Sequence, residues 1–227
     1  MKEILKSVRI FTAQQTITSM LTVLVGFLSA YVFIALLGVV VMFTEKADPD
    51  SFFSGFISGF VPSFTVLIPA AGVFFLSAIY NYSQPITPGY KYFHSLHDSE
   101  EHFKRAIIGA NIIALLTGVV GTGINAVLQI FVPDMLNILL SPAVCLLGTG
   151  LMNFSGHIKN SLVRFIMIMP IFMGVGFLTG YMASAKEDGE ILPDTVLIIA
   201  VIVSALVYIA GLVFTLIRCK ASWRSDK

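Results

Sequence analysis

The chain has 227 residues, of which 56% are hydrophobic and 12% charged, against a charged fraction of roughly 25% in soluble domains. Its 14 basic and 13 acidic residues nearly cancel, leaving a net charge of +1, so overall charge points to no particular partner. The charges are also clustered, and the long uncharged runs between them exclude a soluble enzyme, a nucleic-acid-binding domain and a disordered chain. The composition is that of an all-α integral membrane protein, with the lipid bilayer as its first partner.

The N-terminal segment is amphipathic. At 100° per residue, Ile4, Leu5, Val8, Phe11 and Thr12 share one face, while Lys2, Lys6 and Arg9 share another. The pattern predicts an interfacial helix over residues 1–16, lying at the membrane surface before the chain turns inward. A short soluble turn is the plainer alternative. The long charged region and the absence of a small-residue cleavage site argue against a signal peptide.

Six segments then reach the length of about 20 apolar residues that a membrane-crossing helix needs. They lie near Met20–Phe43, Ser54–Ala78, Ala106–Phe131, Met135–Asn153, Phe165–Ala185 and Thr195–Ile217. Their apolar runs are continuous, not alternating, which selects helices over a barrel. With the N-terminus inside, every basic residue except Lys46 and Lys186 falls on the inner side. The outer connections hold Glu45, Asp48, Asp50, Asp134, Glu187, Asp188, Glu190 and Asp194. This asymmetry predicts six transmembrane helices with both termini cytoplasmic, in one transmembrane domain spanning residues 1–227. Pro62, Pro69, Pro142 and Pro170 fall inside these segments and are expected to kink them.

The longest hydrophilic connection, residues 80–105, faces the cytoplasm in this arrangement. It opens with turn chemistry at Asn81, Ser83, Pro85, Pro88 and Gly89. Tyr90, Tyr92 and Phe93 follow, then Ser95-Leu96-His97-Asp98-Ser99-Glu100-Glu101. Asp98 and Glu101 have the spacing of a capping box, with the acids at the positive end of the helix dipole. A helix is therefore expected to start near Ser99, with His102, Phe103, Lys104 and Arg105 leading into the third span. Exposed aromatics and charges on a short held helix suit a docking element for a soluble partner. An ordinary interhelical loop with a capped helix start has the same sequence features.

The order of second span, Pro/Gly turn, aromatic residues, Ser-Leu, polar stretch, basic residues and third span resembles the permease subunits of type-2 ABC transporters. In that family a Ser-Leu-Pro-like element opens a coupling helix that touches the ATP-binding subunit. Ser95 and Leu96 match it here, and His97 stands where the family has proline. The resemblance implies that Tyr92, Phe93, Ser95, Leu96, His97, Asp98, Glu101 and Phe103 form a coupling and partner-binding segment. It also implies a separate ATP-binding subunit carrying ATP and Mg, a second permease subunit in a homo- or heterodimer, and export as the direction of transport. The setting would be a bacterial plasma membrane. No G-x-x-x-x-G-K-[ST] loop occurs in the sequence, so ATP hydrolysis is not assigned to this chain, and no cofactor, catalytic residue or nucleic acid is expected.

Within the spans, Asn111, Gly118, Thr122, Asn125 and Gln129 recur at spacings that put them on one face of the third helix. Asn111, Thr122, Asn125 and Gln129 are candidates for the wall of a translocation path, or equally for interhelical hydrogen bonds. The central parts of the spans carry no charge, which argues against ion coupling through buried carboxylates. Gly55-x-x-x-Gly59 and Gly176-x-x-x-Gly180 suit close helix packing. His94, His97 and His102 cluster with Glu100 and Glu101, but no cysteine supports a metal site and none is assigned. His157, beside Lys159, reads as a surface residue, and Trp223, among Arg218, Lys220 and Arg224, as an interfacial anchor. Two further function classes stay open: a non-transporting immunity, sensor or assembly protein that recruits a cytoplasmic partner, and an integral membrane enzyme.

Overall fold

A computed structural model describes residues 2–11, 68–81, 90–95, 97–131, 139–158 and 194–224, with isolated positions at 25, 36, 39, 160, 162, 163 and 166. Among the described residues every regular element is an α-helix. In chain order they are α1 (Lys2–Phe11), α2 (Ile68–Asn81), α3 (Tyr90–Ser95), α4 (Ser99–Phe131), α5 (Leu140–Ser155) and α6 (Asp194–Arg224). The expected first and fifth spans, and both GxxxG pairs, lie outside the described residues apart from single positions.

Among the described residues two helices are long and apolar enough to cross a membrane, over Ser99–Val127 of α4 and Leu197–Cys219 of α6. At 1.5 Å per residue, the 33 residues of α4 extend about 50 Å, well beyond a hydrocarbon core of about 30 Å. Only 17% of the apolar stretch of α6 is buried inside the molecule. Ile199, Ile202, Leu206 and Ile209 of that helix face outward, as do Leu116, Val119 and Val127 of α4. The core helix of a soluble protein buries such residues, whereas lipid solvates them. The shorter apolar helices α2 and α5 pack between these two.

Glycines set how closely the helices approach. A methyl group on Gly150 of α5 would sit 2.7 Å from the Tyr208 nitrogen of α6, and one on Gly211 would collide with the Gly150 carbonyl. The α5 and α6 backbones are therefore in contact, the arrangement that small residues permit between membrane helices. Pro142 does not kink α5. It occupies the first turn of that helix, which begins at Leu140, where a missing amide costs nothing because the first four amides have no helical partner.

The apolar core gathers at the charged end of the helices. Phe11, Leu76, Ile79, Tyr80, Phe103, Ile107 and Met152 are fully or almost fully buried there, with Trp223 packed against them. The N-terminal helix contributes to this core. Val8 and Phe11 are buried against α4, and Leu5 points outward at 59% exposure. Part of the apolar face expected to lie at the membrane surface is thus used for intramolecular packing.

Candidate functional site at the charged end of the helices

Three chain segments meet around one tryptophan. Phe11 of α1 approaches Phe103 of α4 edge to face at 5.7 Å between ring centres, and Trp223 of α6 at 6.0 Å. Trp223 stacks on Phe103 at 4.4 Å and on His94 of α3 at 3.8 Å. Its indole nitrogen donates to the Ser99 hydroxyl at 3.1 Å. Trp223 is therefore a buried cornerstone with 3% exposure, which corrects its reading as an interfacial anchor. An indole that finds partners for its ring and its N–H inside the protein has no need of the headgroup region.

The loop segment is held against this cluster. The Ser95 hydroxyl donates to the Tyr92 carbonyl at 2.8 Å, closing the end of α3. Tyr92 stands 64% exposed beside exposed Lys91. Helix α4 starts at Ser99 with Glu100 and Glu101 in its first turn, as the capping argument expects. Asp98 differs from an ordinary N-cap, because it adopts a left-handed conformation with φ of 55°, which Asp tolerates better than most residues. Its carbonyl still accepts the His102 amide at 3.0 Å, and its carboxylate lies 3.3 Å from His97 Nε2.

The predicted site residues divide by position. Tyr92, Ser95, His97 and Asp98 are exposed, and Glu101 is half-buried. Phe103 is fully buried in the aromatic cluster, so it supports this face without forming its surface. Leu96 and the Phe93 side chain lie outside the described residues. The three clustered histidines have separate surroundings: His94 stacks on Trp223, His97 faces Asp98, and His102 Nδ1 lies 3.0 Å from the Ser7 hydroxyl. Among the described residues no three His, Cys, Asp or Glu side chains are placed to hold a metal ion.

About two helical turns from this cluster along α4 and α6, a polar junction ties four elements together. The Tyr80 hydroxyl of α2 donates to Asn153 Oδ1 at 3.0 Å and lies 2.9 Å from the Thr215 hydroxyl of α6. Thr215 donates to the Asn153 carbonyl at 2.9 Å. Asn153 of α5 and Asn111 of α4 exchange amide hydrogen bonds at 2.8 and 3.2 Å, and Asn111 also donates to the Ile107 carbonyl at 2.9 Å. His157 Nε2 lies 3.2 Å from Thr215, and its ring packs edge-on against Tyr80. His157 is thus a half-buried member of the junction and not a surface residue. Sequence reading missed Tyr80, Asn153 and Thr215 and placed His157 on the surface, because all four lie at or just beyond the ends of the apolar stretches, where a polar residue is ordinary.

The remaining residues of the third-span stripe separate. Thr122 donates back to the Gly118 carbonyl of its own helix at 2.8 Å. Asn125 is fully buried, and neither of its amide atoms has a hydrogen-bond partner. Ser141, likewise buried without a partner, faces Gly121 one turn away. The Gln129 side chain lies outside the described residues. Both cysteines, Cys145 and Cys219, are buried, and neither forms a disulfide.

Comparisons with protein-family models, with curated proteins and with solved structures gave no match.

Proposed function

We propose that this chain is the membrane-spanning permease subunit of an ATP-driven transporter, with six transmembrane helices and both termini cytoplasmic. The observation that carries the reading is the short helix α3, braced through His94 on Trp223 and presenting Tyr92 and Lys91 outward. A soluble ATP-binding subunit pressing on this face would act on a rigid element. Through Trp223 the push reaches α6, through Phe103 it reaches α4, and through Phe11 it reaches α1. The polar junction of Tyr80, Asn111, Asn153 and Thr215 then moves as one body with these helices, since each member holds at least two partners.

In this reading Tyr92, Phe93, Ser95, Leu96, His97, Asp98 and Glu101 form the docking segment, with Phe103 beneath it. A second permease subunit completes the path, along which Asn125 offers an uncommitted amide. Export across a bacterial plasma membrane is the direction we assign. The resemblance of the Ser95-Leu96 region to type-2 ABC permeases supports this choice over a non-transporting recruiter.

The test is co-purification of the chain with an ATP-binding subunit from its native membrane. Tyr92→Asp and Leu96→Asp should abolish that association and ATP-dependent transport, while Trp223 emission stays that of the folded protein. Association and transport that persist in both variants would remove the coupling assignment.

A further inference from the structure

The outward face of α1 has no role in the junction just described. Ser7, Val8 and Phe11 point into the protein, and Lys2, Leu5, Lys6 and Arg9 are exposed on the other side. At 100° per residue these four fall within an arc of about 100° opposite Phe11. The result is a stripe of three cations around an exposed leucine.

Its depth is fixed by its contacts with α4. Glu3 lies 3.5 Å from Arg105, Ser7 lies 3.0 Å from His102, and Ile4 and Val8 cover Gly109. That level is where Lys104 and Arg105 give way to the apolar run beginning at Ala106. In a membrane-embedded chain, the headgroup layer meets the helix at this boundary.

We infer that α1 is an anionic-lipid sensor: Lys2, Lys6 and Arg9 bind phospholipid headgroups around an inserted Leu5, and Phe11 relays their occupancy to Trp223 and α3. Charge complementarity selects the occupant. Cations at headgroup depth, next to an apolar side chain, match a negatively charged lipid surface. An acidic soluble protein would need this face turned away from the bilayer, whereas α1 lies on the flank of a spanning helix. The relay is short, because Phe11 touches both Phe103 and Trp223, and Trp223 stacks on His94 of the docking segment. Lipid composition would thereby set how firmly α3 is held. The inference rests on the membrane reading of the chain and is independent of any ATP-binding partner.

The chain carries a single tryptophan, so its emission reports on this cluster alone. The full-length protein is placed in nanodiscs of phosphatidylcholine, or of phosphatidylcholine with one quarter phosphatidylglycerol. Native mass spectrometry counts the phosphatidylglycerol retained, and Trp223 emission is read in parallel. Wild type should retain phosphatidylglycerol and shift its emission in the anionic discs, with the shift reduced at high salt. The triple variant Lys2→Gln, Lys6→Gln, Arg9→Gln should lose both responses while unfolding at the wild-type temperature in phosphatidylcholine. Lys91→Gln, an exposed cation of α3 outside the α1 stripe, should keep both. Phe11→Leu should keep lipid retention and lose the emission shift. Equal wild-type emission in the two discs, or a triple variant that responds like wild type, overturns the inference. Neither result depends on transport, so failure here leaves the permease reading to its own test.

Discussion

Replacing both members of the Asn111–Asn153 pair should harm the protein less than the sum of the two single replacements. In Asn153→Val, the Asn111 side-chain oxygen loses the donor that reached it at 2.8 Å. Tyr80 loses an acceptor but keeps Thr215 at 2.9 Å. One buried acceptor is left without a donor, a penalty of about 1–3 kcal/mol. In Asn111→Val, the Asn153 amide nitrogen is the orphan, for a similar cost. The double variant removes the whole exchange and leaves neither orphan, so the two costs should fall short of adding by about 1–3 kcal/mol. Tyr80→Phe provides the scale. It removes a hydroxyl whose neighbours all keep other partners, and should cost only about 1 kcal/mol. The assay is unfolding in mixed micelles, followed by the emission of the single Trp223. Costs that add to within about 0.5 kcal/mol would show that the two amides do not act as a unit.

Two further outcomes follow from close contacts and exposure. Gly211→Ala should destabilise by about 1–3 kcal/mol in the same assay, because its methyl group meets the Gly150 carbonyl, which is backbone and cannot rotate away. Gly123→Ala, with nothing within 4 Å, should be neutral or gain the helix preference of alanine, about 1 kcal/mol; equal losses at both sites would refute the packing argument. Tyr92→Cys should react with a membrane-impermeant maleimide from the cytoplasmic side only, over a low background because Cys145 and Cys219 are buried. Labelling from the opposite side would reverse the assigned orientation.

The parts of the fold that were readable in advance depend on neighbours in sequence. The start of α4 at Ser99 follows from acids gathered in one turn, and its apolar run follows from length alone. The bend at Asp98 was not readable, because a left-handed residue other than glycine leaves little trace in composition. The polar junction was hidden for a different reason. Tyr80 finds Asn153 and Thr215 across 73 and 135 residues, and His157 finds Thr215 across 58. No periodic pattern encodes such pairings. Charge patterning also misled at two places. Trp223 and His157 stand among basic residues, yet each finds partners for its ring inside the protein. Amphipathicity correctly marked one apolar face on α1 but assigned all of it to the membrane surface; Val8 and Phe11 went to protein, Leu5 did not.

The uninterrupted length of α4 has a mechanical consequence. From Ser99 to Phe131 the helix contains no proline, and sharp kinks need a cause of that kind. It is held near its start by Phe103, Ile107 and Asn111, and further along by α2 at Ala114 and by α5 at Gly118 and Gly121. Tilting a rod of about 50 Å through about 10° about its start sweeps its far end through about 9 Å, several times the displacement at Phe103. A tilt begun around Trp223 therefore reaches Asn125 only if α2 and α5 lean with α4, and a proline introduced midway, at Leu116, would disconnect the two ends.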